Sequence, residues 1–148
     1  MRLKNKVAIV SGGSRDIGRA VSLQLAKEGA KVVVNYFDNE QLAEETLQLI
    51  KEQGGEAIIV KADMTKAADV EALVGKARAA FGDEINVLVN VVGGLVARKT
   101  TAEMDEDFWD FVINVNLKSV FLAVKPVSPF MPAGSSIVTF SSLAARDG

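Results

Sequence analysis

The chain alternates between two hydrophobic rhythms. Short, continuous, largely β-branched runs, "VAIV" (7–10), "KVVVNY" (31–36), "EAIIVKAD" (56–63), "INVLVNV" (85–91) and "SSIVTFSS" (135–142), predict five strands. Between them the spacing lengthens to that of a helix. Ile17, Val21, Leu25 and Ala26 form a stripe that closes at Gly29. Leu42, Thr46, Leu49 and Ile50 form a second, stopped by Gly54 and Gly55, and Val70, Leu73, Val74 and Ala77 a third, ending before Gly82. A longer helical stretch runs from about Asp105 to Lys125, where Pro126 should end or kink it. Pro129 and Pro132 then stiffen the connection to the fifth strand. Strands alternating with helices predict an α/β fold, and right-handed crossovers make it a doubly wound parallel sheet with helices on both faces. With 148 residues and no linker or repeat, residues 1–148 read as one domain.

The first strand runs into "SGGSRDIGRA" (11–20), which then opens a helix. A tight glycine turn in that context brings bare backbone, free N–H groups and the positive end of a helix dipole to an anion. An ordinary βα turn with the same residues is the alternative. Composition narrows the chemistry. There is no histidine and no cysteine, so a Ser-His-Asp triad, histidine-ligated zinc and disulfides are excluded. The acidic stretch "EMDEDF" (103–108) reads as a charged helix start, with no metal assigned. A net charge of −2 argues against nucleic acid or a membrane surface as partner. No apolar run approaches the roughly 18–20 residues of a membrane span, and the start lacks the long apolar stretch of a signal peptide, so a cytoplasmic location is expected.

Five motifs in register resemble the short-chain dehydrogenase/reductase family over the whole chain. The family's Thr-Gly-x-x-x-Gly-x-Gly turn is matched by Ser11, Gly12, Asp16 and Gly18, and its Asn-Asn-Ala-Gly segment by Asn90, Val91, Val92 and Gly93. Its adenine-side aspartate corresponds to Asp63, its helix asparagine to Asn116 in "NVNLKSVF", and its catalytic serine to Ser142 in "IVTFSS". The resemblance implies a Rossmann fold that carries NAD(P)(H) and interconverts a ketone and a secondary alcohol, with a 3-oxoacyl-acyl-carrier-protein reductase as the nearest kind. It also implies cofactor contacts at Ser11, Gly12, Ser14, Arg15, Asp16, Ile17, Gly18, Tyr36, Asp63, Met64, Asn90, Val92 and Gly93. Ser142 would bond the substrate oxygen, and Asn116 would support a water relay. Related proteins pair the long helix across a two-fold axis, so a homodimer or homotetramer is expected. The band of Phe108, Trp109, Val112, Ile113, Leu117 and Phe121 suits it.

Three departures from the family pattern matter. Asp16 replaces a glycine, either as a helix N-cap or as an acceptor for a cofactor ribose. Val91 and Val92 add bulk where the family has asparagine and alanine. The family's Tyr-x-x-x-Lys pair does not occur in the 148 residues, whose one tyrosine is Tyr36. The chain alone is therefore expected to be inactive and poorly stable, the C-terminal part of the fold being missing, and a non-catalytic, truncated nucleotide-binding domain is the rival reading. The second strand ends in the neutral Asn35-Tyr36-Phe37, while Arg15 could meet a 2′-phosphate, so NADP(H) is favoured over NAD(H). Asp38, about 20 residues beyond the turn, is the counter-indication, although strand counting puts it in the run-up to the helix.

Overall fold

Each strand forms where branched apolar residues run without a break, because both faces of the sheet are covered. The computed structural model describes residues 1–147. β1 (Val7–Ser11), α1 (Asp16–Lys27), β2 (Lys31–Tyr36), α2 (Glu40–Glu52), β3 (Glu56–Lys61), α3 (Ala67–Phe81) and β4 (Val87–Asn90) alternate along the chain. α4 (Glu106–Ile113), α5 (Ser119–Val127), β5 (Ser136–Thr139) and the short α6 (Ala144–Asp147) complete it. The five strands are parallel, in the order β3-β2-β1-β4-β5.

The two-residue period of the strands divides the core. Ile9, Val33, Val60 and Leu88 face one side, against Leu73 and Val74 of α3 and Leu122 and Val127 of α5. Ala8, Val10, Val32, Val34 and Val89 face the other, against Ala26 of α1 and Ile50 of α2. β1 therefore lies at the centre, with β2 on one side and β4 on the other. At that position the crossovers change direction and leave a crevice beyond the carboxyl ends of the strands.

Several expectations shift. The third, fourth and fifth strands are shorter than their apolar runs. The buried face of α1 is Gly18, Ser22 and Ala26, while Ile17 is 55% exposed and Val21 and Leu25 flank the core. Small residues take this face because the start of α1 presses on the glycine turn. In α2, Ala43 joins Thr46 and Ile50 inside, and Leu49 lies at the surface. The face expected for α3 is the one buried.

The long helix departs most. Asp105 caps its start by accepting from the Phe108 N–H at 2.8 Å. Pro126 does not end it, and the helix runs on to Val127 and a 3₁₀ turn at Ser128–Phe130. Its irregularity lies earlier, in one turn of π-helix at Asn114–Lys118. Proline removes a single N–H donor here, and the Ser128 amide still bonds back to the Val124 carbonyl. The run Glu106–Phe130 spans 25 residues and contains an 18-residue window with a mean hydropathy of 1.2, so by length and composition it could cross a membrane, contrary to the reading of the sequence. Its inner face instead packs Leu122, Ala123 and Val127 into the core shared with α3. Its outer face leaves Trp109, Leu117 and Phe121 more than half exposed, and Phe111 turns to the crevice beyond the strand ends.

Candidate functional site

The crevice at the carboxyl ends of β1 to β4 holds about 490 Å³, a volume ordinary for a small-molecule site. Its floor is the turn between β1 and α1. A Cβ on Gly18 would collide with the Gly12 carbonyl oxygen, so only glycine lets the helix start approach the strand end this closely. The first amides of α1 thus face the cleft with no side chain between them and a ligand.

Of the residues named as cofactor contacts, Gly12, Ser14, Arg15, Asp16, Ile17, Gly18, Tyr36, Asp63, Met64, Val92 and Gly93 line the cleft. Ser11 and Asn90 do not; both are buried behind its wall. The Ser11 hydroxyl accepts from the Val91 and Val92 amides at 3.0 and 3.2 Å, fastening the end of β1 to the segment after β4. Asn90 donates to the Thr139 hydroxyl at 3.3 Å, across to β5. Its buried Oδ1 has no hydrogen-bond partner. A floor that admits no Cβ and an open row of helix-start amides fit a polar, phosphate-bearing cofactor.

Asp16 is not the cap of α1. The N-cap is Arg15, in extended conformation and without a side-chain bond, and Asp16 is the first helical residue. Its φ of +49° lies in the left-handed region, which explains a glycine at the matching family position. The Asp16 carboxylate is exposed and stands 3.8 Å from Arg15 Nε. At that exposure the pair adds little stability.

The opposite wall carries Asp63. Burial alone would push its carboxyl up, but hydrogen bonds from the Thr65 hydroxyl and amide, with the Lys66 ammonium nearby, outweigh this and hold the pKa below the ordinary aspartate value. Asp63 therefore stays ionised as a hydrogen-bond acceptor facing the cleft. Tyr36 goes the other way. Burial, then its bond to Glu40, raises the phenol, whose hydroxyl donates to Glu40 at 3.0 Å.

Neither Ser142 nor Asn116 lines the cleft. Asn116 sits in the π-helical turn and clasps the Gly94 peptide, donating to its carbonyl at 3.0 Å and accepting from its amide at 2.9 Å. A Cβ on Gly93 would meet the Asn116 side chain, so this clasp also needs a glycine. Ser142 lies three residues past β5, and its hydroxyl accepts from the Ala144 amide at 3.2 Å. Ala144 borders a second groove, with Leu95, Met104, Phe108 and Val112 along it.

Phe37, Asp38 and Thr65 also line the cleft; Asp38 lies past the end of β2 in the run-up to α2, where strand counting puts it, and from there still borders the cleft. Asn35 matters more than its neutral side chain suggested. Fully buried, it accepts from the Gly12 amide at 2.9 Å and donates to the Ala62 carbonyl at 3.1 Å, tying the glycine turn to β2 and β3. A polar residue inside the apolar run "KVVVNY" was the available signal, because buried amides must be paired.

Two measurements check this geometry. If Asp16 were a cap, Asp16→Gly would cost stability. With φ at +49°, the same change is expected to add about 1 kcal/mol to the unfolding free energy, and Asp16→Ala to lose a comparable amount. Urea denaturation of the three proteins separates the two accounts. The second concerns pH. A carboxylate with a lowered folded-state pKa contributes stability above its unfolded value, about 3.9, and loses it as pH falls through the folded value. The stability lost in Asp63→Asn should thus be full near neutrality and shrink as pH falls below about 4. A loss independent of pH would contradict the ionised, bonded state.

Comparison with known proteins agrees with this architecture. The sequence model described as short chain dehydrogenase matches residues 6–148. The 3-oxoacyl-(acyl-carrier-protein) reductase FabG of Staphylococcus epidermidis is 36% identical over 146 residues, covering 97% of this chain and 59% of that protein. A double mutant of a Serratia marcescens short-chain dehydrogenase/reductase superposes with a TM-score of 0.94 at 36% identity, over 98% of this chain and 58% of the other. A Burkholderia cenocepacia short chain dehydrogenase in complex with NADP superposes at 0.91 with 32% identity, over 100% of this chain and 60% of the other. An NADH-dependent reductase complexed with NAD also superposes at 0.91, with 33% identity, over 99% of this chain and 63% of the other. The chain thus spans about three-fifths of the length of the relatives it matches, and over that length it belongs to the short chain dehydrogenase family.

Proposed function

We propose that the chain supplies the dinucleotide-binding part of an NADP(H)-linked oxidoreductase that interconverts a ketone and a secondary alcohol, of the 3-oxoacyl-acyl-carrier-protein reductase kind. The observation that carries this reading is the glycine-floored cleft at the topological switch of the sheet. A nicotinamide dinucleotide bound there supplies the hydride. The chain's own groups hold and orient: the amides opening α1 receive phosphate, and ionised Asp63 accepts from an amino group. Asn116 fixes the Gly94 peptide at the end of the β4 segment. The Ser142 hydroxyl donates to the substrate oxygen.

Carbonyl reduction also needs a proton, and Tyr36 cannot bring it. It is the one tyrosine in the sequence, it is buried in β2, and its hydroxyl is given to Glu40. We infer that the 148-residue chain binds the dinucleotide without turning it over. The exposed band of Trp109, Leu117 and Phe121 supports a homodimer or homotetramer through α4 and α5.

Arg15 favours NADP(H). Among the described residues it is the one cation lining the cleft, and the β2 tip from Asn35 to Phe37 is neutral. Asp38 favours a second reading, because a carboxylate on the same wall pairs with ribose hydroxyls and repels a 2′-phosphate. Titration of NADPH and NADH against Arg15→Ala and Asp38→Asn distinguishes them. The first reading expects Arg15→Ala to weaken NADPH about tenfold or more and NADH by no more than about twofold. Equal losses in Arg15→Ala, with NADH weakened by Asp38→Asn, would establish the second.

A further inference from the structure

Arg19, near the start of α1, does not line the cleft, yet its side chain makes four hydrogen bonds beside it. Its Nε donates to the Ser14 carbonyl at 3.2 Å and to the Thr46 hydroxyl at 2.8 Å. Its Nη2 donates to the Leu42 carbonyl at 3.0 Å and the Glu45 carboxylate at 3.1 Å. Thr46, fully buried, has two acceptors for its one hydroxyl proton, the Ser14 carbonyl at 2.8 Å and the Leu42 carbonyl of its own helix at 2.9 Å, the former the nearer. One carbonyl of the glycine turn is thus held by two side chains, one of them on α2.

We propose that Arg19, acting with Thr46, is a positioning residue for dinucleotide binding. It locks the Ser14–Asp16 turn against α2 and so fixes the distance between the two walls that meet the adenosine end of the cofactor. The inference rests on the dinucleotide reading of the cleft. A trans peptide points its N–H opposite to its C=O. Anchoring the Ser14 carbonyl towards Thr46 therefore turns the Arg15 N–H to the other side. The same bonds tie the turn to α2, and α2 follows directly on Phe37 and Asp38, which line the facing wall. Released from the clamp, the turn and the β2–α2 corner would move independently. Each bound cofactor would then have to order both. Only guanidinium has the planar fork to reach four acceptors divided between the turn and α2, so lysine does not substitute.

The test is calorimetric titration of NADPH and of 2′,5′-ADP, the adenosine end alone, against the parent chain, Arg19→Lys, Thr46→Val and Thr46→Ser. Denaturant midpoints of all four provide the control. The clamp predicts that Arg19→Lys and Thr46→Val each weaken both ligands about tenfold or more and by the same factor. Thr46→Ser, which keeps the hydroxyl, should bind within about twofold of the parent, so the proposal remains testable if Arg19→Lys folds poorly. Parent-like affinity in Arg19→Lys or Thr46→Val would overturn the clamp and leave the dinucleotide reading intact. So would a loss in Thr46→Ser equal to that in Thr46→Val, or losses that follow the denaturant midpoints. Failure of the parent chain to bind either ligand would overturn the dinucleotide reading and the clamp with it.

Discussion

The contact between Gly18 and the Gly12 carbonyl sets the geometry on which everything else depends. Because no Cβ separates them, α1 starts directly over the end of β1, and its unpaired amides open onto the crevice instead of onto side chains. The rest of α1 accommodates this. Its inner face continues as Ser22 and Ala26, small enough to keep the helix close to the sheet, and the Ser22 hydroxyl bonds the Gly13 carbonyl at 3.2 Å. A larger residue at position 18 would lift the helix and dissolve the anion site without touching the apolar core.

Closeness of backbone brings its own difficulty, since the turn's polar groups are taken out of water. Buried side chains answer it one by one. Asn35 takes the Gly12 amide, its own carbonyl takes the Gly13 amide, and Ser11 takes two amides from the segment after β4. Arg19 and Thr46 hold the Ser14 carbonyl. These bonds start on β1, β2, α1 and α2, so the cleft is held where separate elements converge. Unpaired, any of these groups would cost a few kcal/mol. The exception, Asn90 Oδ1, lies beside this same convergence.

Much of the fold was legible in the sequence because buried parallel strands need unbroken apolar runs and glycines stop the helices between them. The α/β class, the five strands and the inner face of α3 follow from that alone. Eleven of the thirteen expected cofactor-side residues line the cleft, since the motif spacing fixes which end of each strand they occupy. What escaped depended on contacts between distant elements. Asn35 looked like a neutral strand tip because its partners, at Gly12 and Ala62, are far away in sequence. Asp16 looked like a cap because Asp suits that position, but it is the first helical residue, with its backbone in the left-handed region. Pro126 looked like a terminator, yet neighbouring packing on Leu122 and Val127 carries the helix through it. The π-helical turn at Asn116 has no signature in hydrophobic period, because it answers to Gly94 on another segment.

The central claim is that this crevice is a dinucleotide site within these 148 residues. The most direct measurement is an NMR titration of the isotopically labelled chain with NADPH, following backbone amides. The account predicts saturable shifts centred on residues 12–18, with further shifts at 36–38, 63–65 and 91–93. The absence of saturable shifts, or shifts confined to the groove along Leu95, Met104 and Phe108, would contradict it.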